Sequence, residues 1–146
     1  MTVAPTRVVA RPELCRGCQV CTLACSLDHE GECRPSAARL RVVAHLAEHA
    51  FEVTICQHCD DPACLAACPA EALVLREGVV GLEAGLCVVC GACATACPHD
   101  AVFYHEGLGR YLKCDLCAER ASGPLCVELC PVGALALVRP AEQAGC

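Results

Sequence analysis

The spacing of cysteine constrains this chain more than any other feature. Sixteen of its eighteen cysteines fall into four groups of four. The first is Cys15-x2-Cys18-x2-Cys21-x3-Cys25, and the second is Cys56-x2-Cys59-x4-Cys64-x3-Cys68, followed by Pro69. The third is Cys87-x2-Cys90-x2-Cys93-x3-Cys97, followed by Pro98, and the fourth is Cys114-x2-Cys117-x8-Cys126-x3-Cys130, followed by Pro131. Only Cys33 and Cys146 stand outside the pattern, and they read as spare thiols. A C-x2-C-x2-C loop turns tightly enough to aim three thiolates at three corners of one iron–sulfur cube. The fourth cysteine, three residues on and ahead of Pro, points away to the other cluster of a pair. Groups two and four lengthen the middle gap with turn formers, Pro62 in one and Gly123-Pro124 in the other, so both remain bulged versions of one scheme.

Other uses of so many cysteines fit less well. Zinc sites pair two C-x2-C units and have no reason for a third cysteine at x2 and a fourth at x3 before Pro. Disulfides among such units would close only tiny loops, and a thioredoxin-like redox site needs a single C-x2-C. The segment Met1 to Arg7 has no basic region followed by a long apolar stretch, and no apolar run approaches membrane-spanning length. A cytoplasmic location and no direct membrane insertion are therefore expected. The formal net charge is -6, with ten Arg, a single Lys (Lys113) and no basic cluster. That argues against nucleic acid, whose phosphates call for a positive stripe.

The core must be unusual. Trp is absent and Phe and Tyr number two each, while Ala and Cys account for most of the 55% hydrophobic residues. Large packing side chains are too scarce for an ordinary core, and metal binding is expected to supply folding energy. Short strand-like runs lie between the motifs: Val8–Ala10, Arg39–Val43, Phe51–Ile55, Ala72–Leu75 with Val79-Val80 across a turn, Ala101–Tyr104 and Ala134–Val138. The x3-Cys segments favour helices of a turn or two. Phe51–Ile55 and Ala101–Tyr104 bracket groups two and three, while Val8–Ala10 and Ala134–Val138 bracket groups one and four. Spacing alone leaves sequential pairing of the groups open; the bracketing strands favour a nested arrangement. The expected fold is α+β, with two nested bacterial dicluster-ferredoxin modules of short strands and short helices around four iron–sulfur clusters. Residues 1–50 with 106–146 form the outer module, and residues 51–105 the inner one.

From Val8 to Val138 the chain resembles the four-cluster, ferredoxin-type electron-transfer subunits of multisubunit oxidoreductases. These include the iron–sulfur subunits of dimethyl sulfoxide reductase, formate dehydrogenase, hydrogenase, carbon monoxide dehydrogenase and tungsten-dependent aldehyde oxidoreductase. The likeness rests on Cys15-Arg-Gly-Cys-Gln-Val-Cys-Thr-Leu-Ala-Cys25-Ser-Leu-Asp-His-Glu-Gly31, Arg34-Pro-Ser-Ala-Ala-Arg-Leu-Arg41, Ile55-Cys-Gln-His-Cys-Asp-Asp-Pro-Ala-Cys64 and Lys113-Cys-Asp-Leu-Cys117. The resemblance implies four [4Fe-4S] clusters in nested pairs. One would be held by Cys15, Cys18, Cys21 and Cys130, and its partner by Cys114, Cys117, Cys126 and Cys25. The inner pair would be held by Cys56, Cys59, Cys64 and Cys97, and by Cys87, Cys90, Cys93 and Cys68. Ser26 stands where the other motifs carry Pro, as is usual in that family.

The expected function is that of a non-catalytic relay of single electrons. The partner would be a large catalytic subunit, a tungsten or molybdenum-pterin enzyme such as aldehyde oxidoreductase being favoured. Further copies of the chain, or a flavin or ferredoxin acceptor, are other candidate partners. A free polyferredoxin shuttle, and a subunit of carbon monoxide dehydrogenase, formate dehydrogenase or hydrogenase, are the alternatives. A zinc-binding interaction module is remote. Every site already counts four sulfurs, so His29, His58 and His99 are expected at the surface or in support of a ligand. Lys113 either offsets cluster charge or is solvated. Val88-Val89, Leu108, Leu112 and Leu125 are candidates for a contact surface, and Asp60-Asp61 reads as loop polarity.

Overall fold

Proline placement explains the helices of this protein, whose computed structural model describes residues 6–139. A residue that precedes Pro is pushed out of the helical region by the ring. Helices α2 (Ala63–Ala67), α3 (Ala92–Ala96) and α4 (Leu125–Leu129) accordingly stop after five residues each. Cys68, Cys97 and Cys130 take extended backbone just before Pro69, Pro98 and Pro131. The first motif has Ser26 at that position, and α1 (Val20–Glu30) runs on for 11 residues to Gly31, which caps it with a φ of 74°. This helix is longer than the turn or two expected, because nothing at Ser26 removes a backbone N–H or blocks the helix.

Among the described residues eight short strands form four antiparallel pairs. Strand β1 (Arg7–Ala10) pairs with β8 (Leu135–Val138), joining the two ends of the described chain in the register Arg7 to Val138 and Ala10 to Leu135. The others are hairpins of neighbours: β2 (Leu40–His45) with β3 (Ala50–Ile55), β4 (Leu73–Arg76) with β5 (Val79–Leu82), and β6 (Val102–His105) with β7 (Arg110–Lys113). The strands expected to bracket the inner motifs therefore do not pair with each other. Each is matched instead to an adjoining strand of the same hairpin. Strand β7 lies outside the strand-like runs of the sequence, and its Leu112, expected at a contact surface, is buried at 1% exposure.

Two-stranded sheets are marginal alone in water. Here they cover two small cores. One gathers Val8, Cys25, Ala38, Leu40, Ile55, Leu116, Cys126 and Leu135, with α1 packed on α4. The second gathers Leu73, Val80, Cys93 and Val102, with α2 packed on α3. Strands β5 and β7 touch between them. Three of these core positions are cysteines, so the sulfur groups sit inside the packing.

Candidate functional site

The four C-x2-C loops share one backbone device. The residue just before the second cysteine of each loop is left-handed: Gly17 (φ 65°), His58 (φ 44°), Val89 (φ 58°) and Leu116 (φ 58°). That conformation costs an L-residue about 1–2 kcal/mol, and a β-branched valine is a true outlier there. It curls the N–H of each back to the preceding thiol. Gly17 donates to Cys15 Sγ (3.5 Å), and His58 to Cys56 Sγ (3.4 Å). Val89 donates to Cys87 Sγ (3.4 Å), and Leu116 to Cys114 Sγ (3.4 Å).

The last cysteine of each motif receives a second N–H. In the three Pro-terminated motifs it comes from four residues on: Ala72 to Cys68 Sγ (3.3 Å), Ala101 to Cys97 Sγ (3.5 Å) and Ala134 to Cys130 Sγ (3.3 Å). In α1 the corresponding residue, His29, lies within the helix, and the N–H of Arg39 supplies Cys25 Sγ instead (3.3 Å). Eight donors thus serve eight thiols, an arrangement suited to sulfur that carries negative charge.

Three enclosed cavities are each lined by four cysteines. Cys15, Cys18, Cys21 and Cys130 line the first; Cys56, Cys59, Cys64 and Cys97 the second; and Cys25, Cys114, Cys117 and Cys126 the third. Burial, and then the charges of the neighbouring Cys87 and Cys68, push the Cys93 thiol up against the opposing Ala94 N–H. Cys90 sits in that same loop and is exposed. Burial and then the neighbouring Cys18, Cys15 and Cys130 hold Cys21 up to about 11, although the Thr22 N–H opposes them. Burial, Cys25, Cys117 and Cys21 hold Cys126 up to about 12. Such crowding makes bare thiolates costly unless a cation lies among them. Among the described residues no disulfide joins them. Cys33 is exposed, and Cys146 lies outside the described residues.

Polar side chains complete the surroundings. Lys113 is buried, and its Nζ donates to Cys56 Sγ (3.0 Å), Val80 O (2.5 Å) and Cys114 O (3.2 Å). His58 is 1% exposed. Burial and the Lys113 charge push its imidazole down to about 3, so the ring is neutral. Its Nδ1 accepts from the Val80 N–H (3.1 Å), which leaves the proton on Nε2. That Nε2 is buried without a partner beside the second cavity. An orphaned buried donor on a residue that lines a four-cysteine cavity fits an acceptor such as cluster sulfide, and the donor set as a whole fits [4Fe-4S] ligation.

A second polar knot surrounds Cys25. Asp115 accepts from His29 Nε2 (3.1 Å), Arg39 (3.0 Å) and the Cys117 N–H (2.9 Å). Burial opposes ionisation of its carboxyl, yet these partners hold it well below the usual carboxylate range. Burial lowers His29 too, but its hydrogen bonds to Asp115 and Cys25 prevail and raise it to about 10. Sequence reasoning did not single out Asp115 or Arg39. Asp115 could have been found by its place between two motif cysteines, whereas Arg39 carries no local signal. Asp60 and Asp61 are exposed, as loop polarity would have them.

The groups also adjoin one another. Cys126 in the third cavity feels the charge of Cys21 in the first, and Cys114 feels Cys56. Cys18 and Cys90 reach the surface, the latter beside Leu86, Val88 and Val89, all exposed. Among the described residues no helix is long and apolar enough to cross a membrane.

Comparison with known proteins agrees with this geometry. The chain is 38% identical over 125 residues to the polyferredoxin-like subunit of aliphatic sulfonate oxidoreductase from Pyrococcus furiosus, covering 84% of this chain and 70% of that one. It is also 38% identical over 139 residues to one subunit of the anaerobic dimethyl sulfoxide reductase of Escherichia coli (83% and 67% covered). Among solved structures it is similar to a component of the active site complex BamBC of benzoyl coenzyme A reductase with 1,5-dienoyl-CoA. There the TM-score is 0.57 at 26% identity, over 91% of this chain and 75% of that one. The model of the 4Fe-4S dicluster domain matches residues 47–139. With its repeated cysteine loops and its short α+β modules, this protein belongs to the 4Fe-4S dicluster domain family and binds [4Fe-4S] clusters.

Proposed function

We propose that this chain is the electron-transfer subunit of a cytoplasmic multisubunit oxidoreductase, with four cluster sites and no substrate chemistry of its own. The observation that carries the reading is the fourfold repetition of a left-handed loop residue donating its N–H to a motif thiol. Its four ligand sets are Cys15, Cys18, Cys21 with Cys130; Cys114, Cys117, Cys126 with Cys25; Cys56, Cys59, Cys64 with Cys97; and Cys87, Cys90, Cys93 with Cys68. When bound, a [4Fe-4S] cluster takes up and gives back one electron at a time. The residues of the chain hold the thiolates in place, keep water out with the small apolar cores, and offset sulfur charge with N–H donors.

Nested modules, residues 1–50 with 106–146 around residues 51–105, are supported by the β1–β8 pairing and by the α1–α4 and α2–α3 contacts. The proximity of Cys21 to Cys126 and of Cys56 to Cys114 supports one line of sites. It runs from the Cys15 set through the Cys114 and Cys56 sets to the Cys87 set. Its two ends carry the exposed Cys18 and Cys90, where electrons enter and leave. The partner is a large catalytic subunit, with a tungsten or molybdenum-pterin enzyme favoured by the likeness of the first motif to the aldehyde oxidoreductase branch.

Anaerobic native purification, with iron, sulfide, molybdenum, tungsten and nickel measured on one sample, tests the proposal. Expected are sixteen irons per chain, if four clusters of four are filled, and a co-purifying large subunit bearing tungsten or molybdenum. A chain that purifies alone, or one that holds zinc in place of iron, refutes it.

A further inference from the structure

Each cluster site receives two backbone N–H donors that lie within 3.5 Å of a ligand sulfur. The Cys15 set has Gly17 and Ala134, the Cys87 set Val89 and Ala72, the Cys114 set Leu116 and Arg39, and the Cys56 set His58 and Ala101. Charged and polar side chains set the sites further apart. At the Cys56 set these are Lys113, whose Nζ lies 3.0 Å from Cys56 Sγ, and the unpartnered Nε2–H of His58. One peptide organises both: the Val80 N–H binds His58 Nδ1 and the Val80 carbonyl accepts from Lys113.

Lys113 is 3% exposed, and among the described residues no carboxylate forms an ion pair with it. A buried ammonium without an anionic partner is seldom tolerated. Its counter-charge is the thiolate-ligated site itself. The cations near Cys25 differ in this respect. His29 and Arg39 both pair with Asp115, a carboxylate that also accepts from the Cys117 N–H, and His29 Nδ1 stands 3.8 Å from Cys25 Sγ. Asp115 cancels one of those two charges and binds both cations, whereas the whole charge of Lys113 lies directly on a ligand sulfur, at 3.0 Å against 3.8 Å for His29.

We infer that Lys113, with His58 beside it, makes the site of Cys56, Cys59, Cys64 and Cys97 the first of the four to accept an electron. An uncompensated buried cation favours the state with one more negative charge, and low local dielectric leaves that effect weakly screened. The inference rests on the proposed ligand sets. It places the highest-potential site in the interior of the line, at the junction between the two modules, where an electron can be held away from both exposed ends.

Lys113 is the sole lysine of the chain, so lysine labelled with nitrogen-15 at the ε position marks one atom. The holoprotein, so labelled, is reduced stepwise and followed by electron paramagnetic resonance. At the onset of reduction the first cluster signal should carry nitrogen-15 hyperfine coupling. Lys113→Gln should shift the oxidised-to-reduced ratio of that signal at least tenfold toward oxidised at a fixed potential, about 59 mV for one electron. Lys113→Arg, which keeps the charge, should stay close to wild type. A first signal without the coupling overturns the inference, as does a Gln variant unshifted or an Arg variant shifted equally. Absence of any cluster signal would instead refute the ligand sets, and the inference with them. The labelling arm uses unaltered protein and does not depend on the variants folding.

Discussion

Gly17→Ala should open the first cluster site, and the structure separates two reasons. Gly17 has a φ of 65°, a conformation that costs an alanine about 1–2 kcal/mol. A Cβ there would also lie 2.3 Å from Cε1 of Phe51, 2.8 Å from Cδ1 and 2.9 Å from Cζ. Ordinary carbon contacts need more than an ångström beyond the shortest of these, so the ring must swing out of its place on β3. Overpacking of this kind costs about 1–3 kcal/mol, and the two contributions together predict about 2–5 kcal/mol. The equivalent positions His58, Val89 and Leu116 carry side chains in the same conformation. Backbone strain alone is therefore survivable, and Phe51 is what makes glycine necessary here. Anaerobic guanidinium unfolding followed by cluster absorbance would measure the effect in Gly17→Ala, Phe51→Ala and the double variant. The double variant should be less destabilised than the sum of the singles, by about the 1–3 kcal/mol of the clash. Additive singles, or a Gly17→Ala protein within about 0.5 kcal/mol of wild type, would refute the reasoning.

Cys90→Ala should lower iron by about four atoms per chain, since it removes one of the four thiols of its set, whereas Cys33→Ser should leave iron content unchanged; iron and sulfide assays on both variants check this. Asp115→Asn strips the partly buried His29 and Arg39 of their carboxylate, and should cost about 1–3 kcal/mol in thermal or denaturant unfolding at pH 6. His29 is raised from its ordinary 6.5 to about 10 in the folded state. Its contribution is therefore complete below pH 6.5 and is lost as pH rises through 10, so the gap between wild type and Asp115→Asn should narrow over that interval. A gap that widened would reverse the assignment. Removing iron with a chelator under reducing conditions should abolish the cooperative unfolding transition seen by circular dichroism, because the two small cores do not sustain four two-stranded sheets alone. An apoprotein that unfolds cooperatively would show that the side chains suffice.

Much of the fold was written in local chemistry. The strand runs at Val8–Ala10, Phe51–Ile55 and Ala101–Tyr104 lie within a residue of β1, β3 and β6. The Pro after three motifs ends three helices, and Ser26 in its place lets α1 continue, an effect visible in the sequence though the length of α1 was not foreseen. Strand β7 escaped notice because Arg110-Tyr-Leu-Lys113 is too short and too mixed to stand out from a loop. Its partner β6 supplies the hydrogen bonds that make it a strand.

The candidate site divides in the same way. By itself, the sequence determined which three thiols of each motif lie together, since three thiols within seven residues, or within a loop closed by Pro or Gly, are held together whatever the rest of the chain does. Only the tertiary structure decided what stands around them. Lys113 might have been solvated; the approach of β5 to β7 buries it against Cys56 and the Val80 carbonyl. Arg39 reaches Cys25 from fourteen residues away because the helix that holds Cys25 cannot supply that N–H itself. The gathering of three thiols in each motif is a short-range property of the chain, whereas the fourth thiol, the charge and the hydrogen bonding at each site come from residues far apart in sequence, which meet only in the folded chain.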